Sequence, residues 1–162
     1  MSLVVRPYAK ADYRRVLDIC IAAFEPIHKG FEQTLGRRVF ELQYHDWRWQ
    51  YAKTISGIAD AGDKTRVFVA ELDGVVAGFV FTNVDAKRKT GEIGLNAVDP
   101  KLQGRGIGRT MYAFALDSLK ERGAEIACVG TGGDNAHEPA RRAYAAIGFE
   151  KAIPGMYLFK EL

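Results

Sequence analysis

The chain has 162 residues, 48% of them apolar, enough for one well-buried core and too few for two ordinary domains, so a single domain over residues 1–162 is expected. Lys and Arg outnumber Asp and Glu by only 23 to 20, and the cations are scattered in pairs such as Arg14-Arg15, Arg37-Arg38 and Arg141-Arg142, which argues against a nucleic-acid-binding domain. The longest apolar run, Val75 to Phe81, is far short of a bilayer span, and Met1 to Tyr13 holds no apolar stretch of signal-peptide length; with Cys20 and Cys128 in apolar settings that suit buried free thiols, no membrane association and a cytoplasmic location are expected.

Leu3-Val4-Val5 reads as a short strand ended by Arg6-Pro7. Asp12 can then cap a helix whose apolar residues Tyr13, Val16, Leu17, Cys20 and Phe24 share one face. Pro26 and Gly30 predict a break, followed by a second helix carrying the aromatic stripe Phe40, Tyr44, Trp47 and Tyr51, which is either core packing or the lining of a substrate pocket. From Arg66 the pattern alternates as strands do: Val67 to Leu72, the hairpin dipeptide Asp73-Gly74, then Val75 to Asn83. The basic triplet Lys87-Arg88-Lys89 reads as a solvated turn before a strand from Glu92 to Val98. A glycine-rich turn leads into a helix to about Arg122, with Ile107, Met111, Phe114, Ala115 and Leu119 facing inward. Glu125 to Gly130 is a strand, Pro139 to Ile147 a short helix, and final strands are expected near Phe149 to Ala152 and Met156 to Lys160. This mixture predicts an α+β fold around one central sheet.

The turn Gln103-Gly104-Arg105-Gly106-Ile107-Gly108, between a strand ending at Val98-Asp99-Pro100 and a helix, has the physics of a phosphate cradle. Glycines let backbone N–H groups approach an anion, and the helix start adds the positive end of its dipole. A nucleotide P-loop would end in Gly-Lys-Ser or Gly-Lys-Thr, whereas Gly108-Arg109-Thr110 stands here. A dinucleotide fingerprint needs a third glycine where Arg109 or Met111 lies.

What fits is the pattern Gln/Arg-x-x-Gly-x-Gly/Ala, met by Gln103, Gly106 and Gly108, with Val98-x-Pro100 before it and Tyr144 followed by Gly148-Phe149 after it. In these features the chain resembles the Gcn5-related N-acetyltransferase (GNAT) family, closely from about Arg66 onward and more loosely before. The resemblance implies a central, mostly antiparallel mixed sheet with a splayed strand pair, flanked by helices, and acetyl-coenzyme A as acyl donor, with no metal. Asn96, Ala97 and Val98 would line its pantetheine arm, and the amides of Gly104, Arg105, Gly106, Ile107, Gly108 and Arg109 would hold its pyrophosphate. An N–H aimed at the thioester carbonyl would also stabilise the oxyanion.

The resemblance further implies that Tyr144 returns a proton to the departing thiolate and that Glu92, at the start of the strand beside the thioester, is the leading base for the acceptor amine. It leaves one position open. An Asn is the commoner residue seven before the Tyr, but His137 stands there and Asn135 lies two residues earlier, so either, or neither, contacts the cofactor. Asp134 and His137 can also form a carboxylate–imidazole pair, with His137 a third catalytic candidate. Glu25, His28 and His45 read as surface residues. The acceptor is a small-molecule or peptide amine; Tyr44, Trp47, Trp49 and Tyr51 lean towards a small molecule, while a protein N-terminal or lysine acetyltransferase and a non-catalytic coenzyme A sensor stay open. Oligomeric state is not readable, and a homodimer is left open.

Overall fold

The computed structural model describes residues 2–60 and 66–162. Its strands are β1 (Leu3–Pro7), β2 (Val67–Leu72), β3 (Val75–Asp85), β4 (Thr90–Val98) and β5 (Ile126–Val129), and they form one sheet in sequence order. The first three pairings are antiparallel and β4–β5 is parallel, as expected of a mixed sheet. The helices are α1 (Tyr13–Leu35), α2 (Arg37–Tyr44), α3 (Trp47–Asp60), α4 (Ile107–Glu121) and α5 (Glu138–Ala145). Parallel pairing requires a crossover, and α4 supplies it.

Strand alternation divides the core into two layers. Phe68, Ala70, Leu72, Ala77, Val80 and Ile93 meet Ile107, Met111, Tyr112, Ala115 and Leu119 of α4 and Tyr144 of α5. On the other face Val67, Val69, Val76, Phe79, Phe81 and Ala97 meet Val16, Ile19 and Cys20 of α1 and Ile55 of α3. Two bulges reset this alternation. On β3, Ala70 and Glu71 of β2 pair with Gly78 and Val76, leaving Ala77 as an extra residue. On β4, Asn96 pairs with Val80 but Ile93 with Thr82, so two β4 residues, Gly94 and Leu95, oppose Phe81 alone. The second bulge has a functional consequence: Ile93 and Asn96, three apart, both face α4 and α5.

The β4–β5 ladder runs from Thr90↔Ile126 to Ile93↔Val129 and stops, while β4 continues to Val98. The two strands therefore part at the bulge. Asp73 (φ 50) and Gly74 (φ 82) make the expected hairpin turn with both residues left-handed.

Several expectations need correction. Helix α1 runs through Pro26 and Gly30 to Leu35 and stops at Gly36, φ 78; three helices stand where two were expected, because the aromatic stripe is split between α2 and α3. The Asp12 side chain does not cap α1. It binds Arg6 Nη1 at 2.7 Å and accepts from Ala9 N at 2.8 Å. On α4 the inward aromatic is Tyr112, and Phe114 lies half out against Phe68. Cys20 is buried as expected but Cys128 is exposed. No strand forms after α5: Ile153, Met156, Tyr157 and Leu158 are exposed, and no other strand pairs with their backbone. Alternating apolar residues make a strand only where a partner takes up the backbone groups.

Candidate active site

A cavity of about 980 Å³ opens where β4 and β5 part. Its floor is β4 from Glu92 to Val98, one end is the turn into α4, and Gly130 and Thr131 at the end of β5 with Asn135, Ala136 and His137 form a side. Ala23, Phe24, Pro26 and Ile27 of α1 make an apolar wall, and Tyr144 of α5 faces in. Thirteen sequence-derived candidates line this one space: Glu92, Asn96, Ala97, Val98, Gln103, Gly104, Gly106, Ile107, Gly108, Arg109, Asn135, His137 and Tyr144. Arg105 is exposed and does not line it.

At the α4 end the backbone is shaped for an anion. Gly104 has φ 77 and Gly106, the residue before α4, has φ 79, conformations strained for any side chain. The first amides of α4 have no helical acceptor and point towards the mouth of the turn, where the helix dipole adds partial positive charge. A Cβ on Gly108 would sit 3.4 Å from the Tyr112 ring. The cradle is thus open on its anion side and packed behind, which fits a pyrophosphate.

The centre of the cavity holds a polar cluster that the sequence showed only in part. Tyr112 Oη donates to Asn96 Oδ1 at 2.7 Å, and Asn96 Nδ2 donates to Gly94 O at 2.8 Å and to Tyr144 Oη at 3.0 Å. Tyr144 Oη also lies within donating distance of Asn96 Oδ1, at 3.2 Å, an oxygen whose second lone pair is left by the bond from Tyr112. The Tyr144 hydroxyl, which lines the cavity, thus has two alternatives for its proton: Asn96 Oδ1 or a group in the cavity. Burial pushes the Tyr144 hydroxyl above its ordinary pKa, with the bonds from Asn96 and Tyr112 opposing, so it is a protonated donor at neutral pH. Tyr112 was missed because helical spacing offers both it and Phe114, and only the path of α4 over β4 decides between them.

The two sequence-derived base candidates differ in support. Glu92 is exposed, and although its backbone is paired in the β3–β4–β5 ladders, its carboxylate makes no hydrogen bond among the described residues. His137 is mostly covered, its side chain 17% exposed, and its Nδ1 donates to Asp134 Oδ2 at 2.6 Å. Asp134 Oδ1 also accepts from Ala136 N at 2.9 Å, capping a short 3-10 turn, Asn135–His137.

The aromatic stripe is not in the cavity. Tyr44, Trp47, Trp49 and Tyr51 do not line it. Trp47, Tyr44, Tyr51, Phe31 and Phe40 instead pack around His28, which is buried rather than on the surface and stacks on Trp47 at 4.2 Å. His45 and Glu25 are exposed, as expected, and Glu25 pairs with Arg48 at 2.8 Å. Among the described residues no group of three or more His, Cys, Asp or Glu is placed to hold a metal, and no helix is long and apolar enough to cross a membrane.

A family model described as the acetyltransferase (GNAT) family matches residues 27–149. The chain belongs to the GNAT family. It is 37% identical over 144 residues to a protein of Archaeoglobus fulgidus named as an uncharacterized N-acetyltransferase, covering 86% of this chain and 90% of that protein. It is 32% identical over 145 residues to the mycothiol acetyltransferase of Thermomonospora curvata, covering 86% of this chain but 47% of that protein. The chain spans less than half the length of the mycothiol acetyltransferases it matches. Among solved structures, a GNAT family acetyltransferase from Brucella melitensis in complex with acetyl-CoA superposes with a TM-score of 0.62 at 21% identity, over 93% of this chain and 84% of that one, a likeness of fold. Family members use acetyl-coenzyme A as donor, and the GNAT fold expected from the turn and Tyr144 is the fold observed.

Proposed function

We propose that this chain transfers the acetyl group of acetyl-coenzyme A to the primary amine of a small molecule, by direct attack with both substrates bound. The observation that carries the reading is that the anion cradle before α4, the parted strands and Tyr144 face one cavity. The amides from Gly104 to Arg109 hold the pyrophosphate, and Asn96, Ala97 and Val98 flank the pantetheine arm. The β4 bulge leaves backbone groups outside the ladder beside the reacting carbonyl, where an N–H can stabilise developing oxyanion charge. Most of the remaining work is holding an amine against a thioester.

Tyr144 gives its proton to the departing thiolate. Glu92 and His137 are the ionisable groups that can relieve the incoming ammonium of its proton. That step matters because an amine of pKa ~10.4 is neutral in fewer than about one molecule in a thousand at pH 7. A small-molecule acceptor is favoured by the apolar wall of α1, which suits a compact substrate better than an extended peptide, and by the T. curvata relative's name, mycothiol acetyltransferase.

The test is coenzyme A release, followed by thiol titration, over amino sugars, polyamines, amino acids and peptides with free N-termini or lysines. Release with small amines is expected. Release with peptides alone would make the chain a protein acetyltransferase, and thermal stabilisation by acetyl-coenzyme A without release from any amine would make it a sensor.

A further inference from the structure

The segment from Thr131 to Pro139 departs from the commoner family pattern, with His137 where an Asn is usual, and specific contacts hold it. His137 Nδ1 and Asp134 Oδ2 are 2.6 Å apart. The Asp134 carboxylate is fixed from its other oxygen by the amides of Ala136 and His137, at 2.9 and 3.3 Å. Arg141, one turn into α5, donates from Nη1 to Gly132 O at 2.6 Å and to Asp134 O at 2.7 Å, holding the backbone that leads into the pair. Gly132 packs so closely that a Cβ there would run into both His137 Nδ1 and the Asp134 carboxylate. A simple cap of the 3-10 turn needs only the two amide bonds; the imidazole contact, the Arg141 bonds and the close packing of Gly132 go beyond it.

We infer that Asp134 and His137 form a general-base dyad for the acceptor amine: His137 is the catalytic residue, and Asp134, with Gly132 and Arg141 behind it, is its positioning group. With Nδ1–H committed to Asp134, the imidazole presents a lone pair on Nε2, the tautomer a base requires. His137 lines the same cavity as Tyr144 and lies across from the apolar wall of α1. The proton balance follows. Nε2 takes one proton from the acceptor ammonium, and the freed lone pair forms the C–N bond as the C–S bond breaks. The thiolate takes the Tyr144 proton, and the nitrogen's second surplus proton replaces it. One proton in all leaves the site, from His137 to solvent. Glu92 has no group fixing its carboxylate and is left as a bystander on the cavity floor.

The assignment rests on the acetyltransferase reading, and its test separates the two. Turnover is measured against pH for the wild type and for His137→Ala, Asp134→Asn, Gly132→Ala and Glu92→Gln. Asp134 bonds the imidazole, Arg141 holds the Asp134 backbone, the charged and titratable groups sharing its cavity are Glu92, Arg109, Tyr112, Arg142 and Tyr144, and His28 of α1 is within electrostatic reach. In His137→Ala, kcat is expected to fall by about 10²- to 10⁴-fold, with KM for acetyl-coenzyme A within about twofold and the acid limb of the profile gone; added imidazole should restore turnover in proportion to its neutral form. Asp134→Asn and Gly132→Ala, which leave the imidazole present but unaligned, should lower kcat by about tenfold or more and respond less to imidazole. Turnover and an acid limb that survive in His137→Ala overturn the dyad alone, as does a loss confined to KM for acetyl-coenzyme A or an acid limb removed by Glu92→Gln. A wild type that acetylates no amine overturns the acetyltransferase reading and the dyad with it.

Discussion

The cavity has two ends built by different rules. At the proposed donor end, β4 and the turn into α4 offer a cofactor mainly backbone: glycines at φ 77 and 79 and the start of a helix with its dipole. Backbone recognition needs particular residues at fixed spacing, because only glycine adopts those angles cheaply. At the acceptor end, α1 and the loop before α5 present side chains: Phe24 and Ile27 on one side, His137 on the other. Side-chain recognition changes with any substitution on a helix face and so has no spacing rule. The donor end can be read from sequence for that reason, and the acceptor end cannot.

Tyr144 is where the two ends meet, and its loss separates them most clearly. Tyr144→Phe keeps the ring against Tyr112 and Phe149 but removes the proton donor, so kcat should fall about a hundredfold or more with every amine alike, and steady-state kinetics on several acceptors checks this. Unequal losses would place Tyr144 at the acceptor end. A structural strap between the ends is the next largest effect. Arg15 of α1 reaches Asp99, after β4, at 2.5 Å and Val76 O at 2.9 Å. Asp99→Ala should lower stability by about 2 kcal/mol in urea titration, since Arg15 loses a buried charged partner.

A smaller effect is confined to the donor end. Gly106→Ala forces a side chain into the left-handed region at a cost of about 1–2 kcal/mol; if that strain is relieved by shifting the cradle, KM for acetyl-coenzyme A rises several-fold while KM for the amine does not. The smallest effect belongs to the acceptor side. Burial among the rings, with Arg48 and His137 adding repulsion, holds the His28 pKa down at about 4 against an ordinary 6.5. Between these values the unfolded chain binds a proton at this site that the folded chain does not, so stability falls as pH drops from 6.5 towards 4. His28→Phe should flatten that part of the stability-against-pH curve, as followed by thermal melting.

Sequence legibility followed the same division. The hairpin at Asp73-Gly74, the order of β2 to β5 and the cradle were readable because each is signalled by a short, local pattern. Tyr144 was placed by its spacing within the family pattern. Asn96 was expected to line the cofactor, and its bond to Tyr112 was not foreseen, because the β4 bulge that turns Asn96 towards α4 has no signal in Gly94-Leu95. The aromatic stripe misled for a related reason: aromatic residues every three or four positions fit a pocket and a core equally well, and the buried His28 that organises them sits on a different helix. Pro26 suggested a break that α1 does not make, and Met156 to Lys160 suggested a strand that has no partner in the sheet.

The central claim is that the donor end fixes acetyl-coenzyme A while the acceptor end takes a small amine. The most direct measurement supplies acetyl-coenzyme A labelled in its acetyl group to the protein with a mixture of small amines and peptides, and follows the label by mass spectrometry. The account predicts the label on the nitrogen of a small amine, with coenzyme A released in equal amount. Label on peptide termini or lysines, or label that stays on coenzyme A, would contradict it.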